Sequence, residues 1–357
     1  MDFPKLPNQW KEDGYEIDRF LGSGSYGEVY RIIRNKGTKL EEVSALKILT
    51  HKLSKQDLRR IYDNDFVKAQ IEETKKFDQE IREASLLEQF MDIEEIVQFQ
   101  GSCIERMPSK GIWKAYIQME YLDNVVDYIK ENKREFHSKN VYQHEILTLG
   151  IDICSALEAC HKRGILHRDI KPENILVRKK IIEEHHGYRH YSTSYRLGDF
   201  GCSKEMMDDS MTTVGTFNYM APELIKEAHY DQRSDLYSLG LVLYYLANAC
   251  KPAFSEYDAF EAYNLRVYEQ KELSTPLYVY PPLQQVILKV CSYLPENRYQ
   301  SAQEMKEALI EVMEHPYGFC PECGSKLELV FDEEEGDLFV TCKNHKDGYR
   351  YDSINKR

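Results

Sequence analysis

The sequence predicts an α+β protein of two lobes, the first β-rich with one main helix and the second mainly helical, followed by a small cysteine-bearing module. Three observations predict it. From Tyr15 to Tyr121 the apolar residues come mostly in short β-rich runs broken by Gly and Asn, such as Val29 to Ile33, Ala45 to Leu49 and Ala115 to Met119. Beyond Asp123 they lengthen into helical stretches, notably Leu147 to Lys162, Ser234 to Ala249 and Leu283 to Leu294. Near Pro316 the helical periodicity stops, and Cys, Gly and acidic residues take over.

The expected boundaries are an N-lobe over 14–119, a connecting segment over 120–123, a C-lobe over 124–314 and a terminal module over 316–350. A chain of 357 residues has room for these parts. Its net charge of −13 argues against a generic binder of the nucleic-acid backbone, which needs a cationic face. The longest apolar stretch, around Leu239 to Cys250, is too short and too interrupted to span a bilayer, and no cationic-then-apolar leader precedes the first motif. A soluble, cytoplasmic protein is expected. Of nine cysteines, Cys103, Cys154, Cys160, Cys202, Cys250 and Cys291 stand singly in apolar contexts, which reads as reduced and mostly buried thiols.

Within the first lobe, Gly22-Ser23-Gly24-Ser25-Tyr26-Gly27-Glu28-Val29 sets three glycines where a strand turns back on itself. Backbone N–H groups there can approach a polyphosphate without interference from Cβ atoms. The spacing alone also suits a dinucleotide fold or a plain hairpin, but the loop lies between β-like runs instead of opening a helix, which argues against a Rossmann turn. Eighteen residues after Val29, Ala45-Leu46-Lys47-Ile48 places an ammonium inside an apolar strand, where it needs anionic partners. Phosphate oxygens can serve, with a carboxylate from the main helix. Phe77, Ile81, Ala84 and Leu87 define one face of that helix, running toward Phe90, and Glu83 is the expected partner, with Glu80 one turn earlier in reserve. Two polar stretches, Ser54 to Lys76 and Arg178 to Tyr195, read as additions.

Within the second lobe, His167-Arg168-Asp169-Ile170-Lys171-Pro172-Glu173-Asn174 follows an amphipathic helix and precedes the apolar run Ile175-Leu176-Val177. Asp169 can accept a hydroxyl proton, Lys171 can neutralise phosphate charge, and Asn174 can offer an oxygen to a hard cation. Asp199-Phe200-Gly201 supplies a second hard-metal ligand. Carboxylate plus amide oxygen implies magnesium, in a site that works by positioning and electrostatics without a covalent nucleophile.

These residues in this order resemble the eukaryotic-type serine/threonine protein kinase family, and the resemblance runs from residue 14 to about 314. It extends to Ala221-Pro222-Glu223, to Asp235 in Ser234-Asp235-Leu236-Tyr237-Ser238-Leu239-Gly240, and to Arg298 in Pro295-Glu296-Asn297-Arg298. The resemblance implies ATP-dependent phosphorylation of protein hydroxyls, with Asp235 anchoring the catalytic loop and Glu223 pairing with Arg298. Gly22, Ser23, Gly24, Ser25, Tyr26, Gly27, Val29, Ala45 and Lys47 would then line the nucleotide, with Met119 as gatekeeper and Glu120-Tyr121-Leu122 as hinge. Lys171 and Gly215-Thr216-Phe217-Asn218-Tyr219 resemble the serine/threonine branch, with dual specificity as the alternative. Thr212, or failing it Thr213 or Ser210, is the expected activating phosphosite, read by Arg168. A pseudokinase scaffold is the competing function; its usual mark is a lost motif residue, and Lys47, Asp169, Asn174 and Asp199 are all present.

The terminal module carries Cys320-x-x-Cys323, eighteen intervening residues, then Cys342-x-x-His345, a spacing that suits one structural Zn²⁺. Leu327 to Val330 and Leu338 to Thr341 read as the strands of a zinc-ribbon hairpin with an acidic, Gly-containing tip. The acidic balance favours protein contact over nucleic acid. The sequence carries no signal for the oligomeric state or the protein substrate.

Overall fold

The computed structural model describes residues 3–24, 27–132, 139–185, 188–200, 218–226, 230–332 and 337–344. It divides into two compact units, one of Met1–Asp123 with Gly198–Lys204, the other of Asn124–Leu197 with Glu205–Arg357.

In the first unit the short apolar runs become β1 (Glu16–Gly24), β2 (Gly27–Arg34), β3 (Glu42–Lys52), β4 (Phe99–Met107) and β5 (Ile112–Glu120), an antiparallel sheet in the order β1-β2-β3-β5-β4. A short helix, α1 (Asn8–Glu12), precedes it. Trp10 of α1 and the preceding Leu6 are buried against Tyr30, Ile32, Leu46, Ile48 and Tyr116, so the hydrophobic core begins before residue 14.

The stretch Ser54 to Lys76, expected as a polar addition, is helical. It forms α2 (Lys55–Arg60), capped by the Ser54 side chain, and most of α3 (Phe66–Glu80). Tyr62, Ala69 and Phe77 turn inward. Glu73, also buried, accepts hydrogen bonds from His51 of β3, from Tyr62 and from Lys76, and Trp113 of β5 donates to Thr74 at 3.0 Å. Burial alone would raise the Glu73 carboxyl, but the Lys76, Tyr62 and His51 hydrogen bonds hold it at about 2. The single main helix expected toward Phe90 is a correction. The chain turns at Ile81 (ψ 0) and α4 (Arg82–Gln89) follows as a separate helix.

In the second unit, α5 (Val125–Glu131) follows the two-residue strand β6 (Asp123–Asn124), whose Asn124 side chain caps it by accepting from Asp127 N. The 24-residue α6 (Lys139–Lys162) buries Ile146, Leu149, Ile153, Leu157 and Cys160 at helical spacing. Strands β7 (Ile175–His185) and β8 (Tyr188–Leu197) pair along their whole length and join β6 in a sheet of order β6-β7-β8. Thus the His- and Tyr-rich addition over Arg178 to Tyr195 extends a hairpin.

Then come α7 (Pro222–Lys226), α8 (Gln232–Ala247), α9 (Ala259–Val267), α10 (Pro281–Val290) and α11 (Ala302–Glu314). Helix α8 is buried on nearly every side, as a central core helix must be. A Cβ added at its Gly240 would lie 2.4 Å from a Val290 methyl, so only glycine lets α8 and α10 approach this closely. The last strands, β9 (Leu327–Asp332) and β10 (Asp337–Cys342), form a separate antiparallel hairpin. No helix among the described residues is long and apolar enough to cross a membrane.

Candidate active site

The glycine-rich turn is made by the β1–β2 hairpin, in which Gly24 pairs with Gly27; Ser25 and Tyr26 lie outside the described residues. Gly27 has φ +124°, and a Cβ there would meet the Ile48 carbonyl oxygen at 2.4 Å, so the turn requires glycine at this position. At Gly22 nothing comes within 4 Å of the Cβ position.

Lys47 sits on β3 between buried Leu46 and Ile48, pairing in register with Val29 and Ile117. Its ammonium donates to Asp199 Oδ1 at 2.6 Å. Asp199 itself holds a left-handed backbone, φ +59°, and the next ring, Phe200, is buried against Phe90 at 5.5 Å between centroids. The backbone puts Glu80 at the end of α3 and Glu83 in α4, two helices and not two turns of one; their side chains lie outside the described residues. Ala45 pairs with Met119 across the sheet, and Glu120 N donates to Gln98 O while Gln98 N donates back to the Glu120 carboxylate.

The second unit holds the His167–Asn174 loop on a buried carboxylate. Asp235, fully buried in α8, accepts from His167 N at 3.0 Å and His161 Nε2 at 2.8 Å on one oxygen, and from Arg168 N at 2.9 Å and Tyr230 OH at 2.5 Å on the other. Burial would raise its carboxyl, but the hydrogen bond and charge of His161, with His167 and Tyr230, hold it below the usual carboxylate range. Arg168 takes φ +67° here, a conformation costly for a non-glycine residue and stabilised by the Asp235 bond.

On this support Asp169 is buried, and its Oδ2 accepts from Lys171 Nζ at 2.6 Å and Asn174 Nδ2 at 3.0 Å. Asn174 Nδ2 also donates to the Asp169 carbonyl at 2.7 Å. Its amide nitrogen is thereby committed to Asp169, which leaves the amide oxygen for a hard cation.

Further along, Glu223 of α7 receives a bidentate pair from Arg298, 2.7 and 2.9 Å, and both side chains are buried. Arg266, also buried, donates to the carbonyls of Asn218 and Met220 and so holds the chain just before Ala221. His161, Tyr230 and Arg266 were not singled out from the sequence. A detectable signal exists for Arg266 alone, an arginine among the apolar residues Ala262, Tyr263, Leu265 and Val267, where a charge is rare without partners. Ser210, Thr212, Thr213 and the Gly201–Phe217 segment lie outside the described residues.

The sequence matches the protein kinase domain family over residues 15–317. The chain belongs to the protein kinase family. Among the chain's relatives is a serine/threonine-protein kinase PknB of Mycolicibacterium smegmatis, 29% identical over 86% of this chain and 44% of that protein. Another is the human serine/threonine-protein kinase Nek11, 28% identical over 85% of this chain and 40% of that protein. A probable serine/threonine-protein kinase of Streptomyces coelicolor is 33% identical over 54% of this chain and 27% of that protein. The chain spans less than half the length of these curated relatives.

The C-terminal segment gathers Cys320, Cys323 and Cys342, whose sulfurs all lie within 4.8 Å of one another. The Cys323 and Cys342 sulfurs are 3.5 Å apart, too far for a disulfide. A tight turn builds the cluster: Gly324 N donates to Cys320 O and Cys320 N to Ser325 O, both 2.8 Å. Ser325, first among the causes, and Asn344 bring the exposed Cys323 thiol down to about 6. His345 lies outside the described residues. The module stands on the second unit's helices, with the Tyr317 ring edge-on to Tyr280 at 4.9 Å and its hydroxyl donating to Asn140 at 3.0 Å.

Proposed function

We propose that this chain is a cytoplasmic serine/threonine kinase, transferring the γ-phosphate of ATP to serine or threonine hydroxyls of protein substrates. The observation that carries the reading is the Asp169-Lys171-Asn174 group, held on a loop that the buried Asp235 fixes through two backbone N–H groups. Asp169 accepts the proton of the attacking hydroxyl, and the adjacent Lys171 ammonium offsets negative charge on the transferred phosphoryl group. Lys47 binds phosphate oxygens beneath the glycine-rich turn, with Glu83 as its helix carboxylate. Ala45, Met119, Glu120 and Leu122 line the adenine side.

Protein kinases use ATP and Mg²⁺; here Asn174 and Asp199 would hold the ion, which supplies positive charge to the phosphate oxygens. Hydroxyl specificity is supported by Lys171 two residues after Asp169 and by the serine/threonine kinases among the relatives. Phosphate on Thr212, Thr213 or Ser210, bound by Arg168, would order the segment before Ala221. A pseudokinase scaffold is the less supported reading, because none of its usual losses occurs.

Lys47→Met and Asp199→Asn each abolish phosphotransfer while circular dichroism and thermal melting stay near wild type. Activity close to wild type in either variant would overturn the roles given to them.

For the terminal module we infer a domain boundary near residue 316 and a structural zinc bound by Cys320, Cys323, Cys342 and His345. Sulfurs of a tetrahedral site with Zn–S bonds of about 2.3 Å sit about 3.8 Å apart, compatible with the separation of the cysteine cluster. Four protein ligands leave no open position for catalysis. The hydrophobic cluster of this module contains two of the cysteines with Leu327 and Val340, too small a core to stand alone. Elemental analysis of the purified chain therefore gives one zinc per chain, lost in Cys320→Ser with Cys323→Ser, while ATP binding persists. A folded, metal-free module would contradict this.

A further inference from the structure

Glu73 ties together three elements of the first unit. It is buried on the inner face of α3 and accepts from His51 of β3, from Tyr62 in the link between α2 and α3, and from Lys76 three residues on. Lys76 also donates to Tyr62 OH at 3.2 Å. Beside this group the fully buried Trp113 of β5 donates to Thr74 at 3.0 Å and stands edge-on to the His51 ring, 5.7 Å between centroids. A carboxylate taken out of water is costly, and the best-attested use of such a group is to fix a register.

The strand shows which register is fixed. Alternate residues of β3 share a face, so His51 and Lys47 point to the side on which α3 packs, while Leu46 and Ile48 face the core that holds Trp10. At the far end of the helical segment Phe90 lies against Phe200, the neighbour of the Asp199 that receives Lys47. The segment therefore runs from the His51 end of β3 toward the Lys47 end. Four residues of strand separate His51 from Lys47, about 13 Å. Ten residues of helical rise separate Glu73 from Glu83, about 15 Å. The two lengths agree within half a turn, and the point at which the segment is pinned decides which residue comes level with Lys47.

We propose that Glu73 is a positioning residue for phosphotransfer: bound to His51, it sets how far α3 and α4 advance along β3 and so brings Glu83 level with Lys47. The inference rests on the kinase reading of Lys47 and Glu83 and adds what places them. A shift of α3 reaches α4 because the turn between them stays hydrogen-bonded, Ile81 N donating to the carbonyl of the buried Phe77 at 3.0 Å. A slip of one helical residue is about 1.5 Å, enough to misalign a reaction that works by positioning.

The test joins turnover on an acceptor peptide to amide hydrogen exchange over α3 and α4, which reads the seating of the helices without phosphotransfer. Glu73→Ala, and separately His51→Leu, which keeps an apolar side chain against Trp113, speed exchange in α3 and lower kcat about tenfold with the peptide KM unchanged. His51→Gln, whose amide nitrogen has the reach of the imidazole Nε2, restores both. Glu83→Gln alone lowers kcat about a hundredfold. Adding His51→Leu to Glu83→Gln costs nothing further, because the carboxylate being placed is gone; a contact that only stabilised the lobe would cost the same factor in either background. Wild-type turnover in Glu83→Gln would overturn the pairing of Lys47 with Glu83 and the proposal with it. With Glu83→Gln impaired, wild-type turnover or unchanged exchange in both Glu73→Ala and His51→Leu, or losses that multiply in the double variant, would overturn the positioning role alone.

Discussion

Asp169→Asn is expected to lower phosphotransfer turnover about a thousandfold, with nucleotide affinity nearly unchanged. The amide has the size of the carboxylate and can still accept from Lys171, so the loop keeps its shape. What is lost is the ability to take a proton from the acceptor hydroxyl. The loop's support lies elsewhere, in the bonds from His167 N and Arg168 N to Asp235. Single-turnover phosphotransfer beside a nucleotide titration checks this. Parallel losses in both would assign Asp169 a structural role.

Arg298→Met has the largest expected effect on stability, a loss of about 3–5 kcal/mol, because it leaves the Glu223 carboxylate buried without its cation. Arg298 donates twice to Glu223, to the carbonyls of Ser292 and Tyr293, and lies over the Tyr237 ring at 4.5 Å. For a domain of this size the loss lowers Tm by roughly 10 °C. Replacing both partners, Glu223→Leu with Arg298→Met, costs less than replacing Arg298 alone, since no orphaned charge remains. Equal costs would show that the carbonyl and ring contacts dominate.

The pair also sets an acid limit. Burial would raise the Glu223 carboxyl, but the Arg298 hydrogen bonds and charge, with Ser234, hold it below its ordinary value. Its contribution is therefore present above the unfolded carboxyl range and is lost as pH falls through the lowered folded value. Arg298→Met removes that part of the acid dependence.

The motifs were legible because each joins several chemically distinct residues in a few consecutive positions, as in His167 to Asn174. The long helices α6, α8 and α10 were legible from apolar content. Helix α3 was not, because its apolar residues divide between an inner face, Ala69 and Phe77, and an outer one, Val67 and Ile71, which blurs the single-face period, and α2 carries a single apolar residue, Leu58, too few for a period. The turn at Ile81 was hidden for the opposite reason, since Phe77, Ile81, Ala84 and Leu87 keep one helical spacing across it. The contributions of Leu6 and Trp10 to the first unit's core, and of His161 and Tyr230 to Asp235, depend on partners distant in sequence or on single residues without a pattern. The hairpin over Arg178 to Tyr195 is rich in polar and aromatic residues, and its composition marked it only as an addition.

The most direct test of the account is phosphotransfer by the purified chain from γ-labelled Mg-ATP to arrayed peptides, each with serine, threonine or tyrosine as its sole acceptor and with Asp169→Asn as the blank. The account predicts label on serine and threonine peptides, none on tyrosine peptides and none with the blank. Label no higher than the blank on every peptide would contradict the enzyme reading in favour of a scaffold, and equal label on tyrosine would contradict the acceptor class.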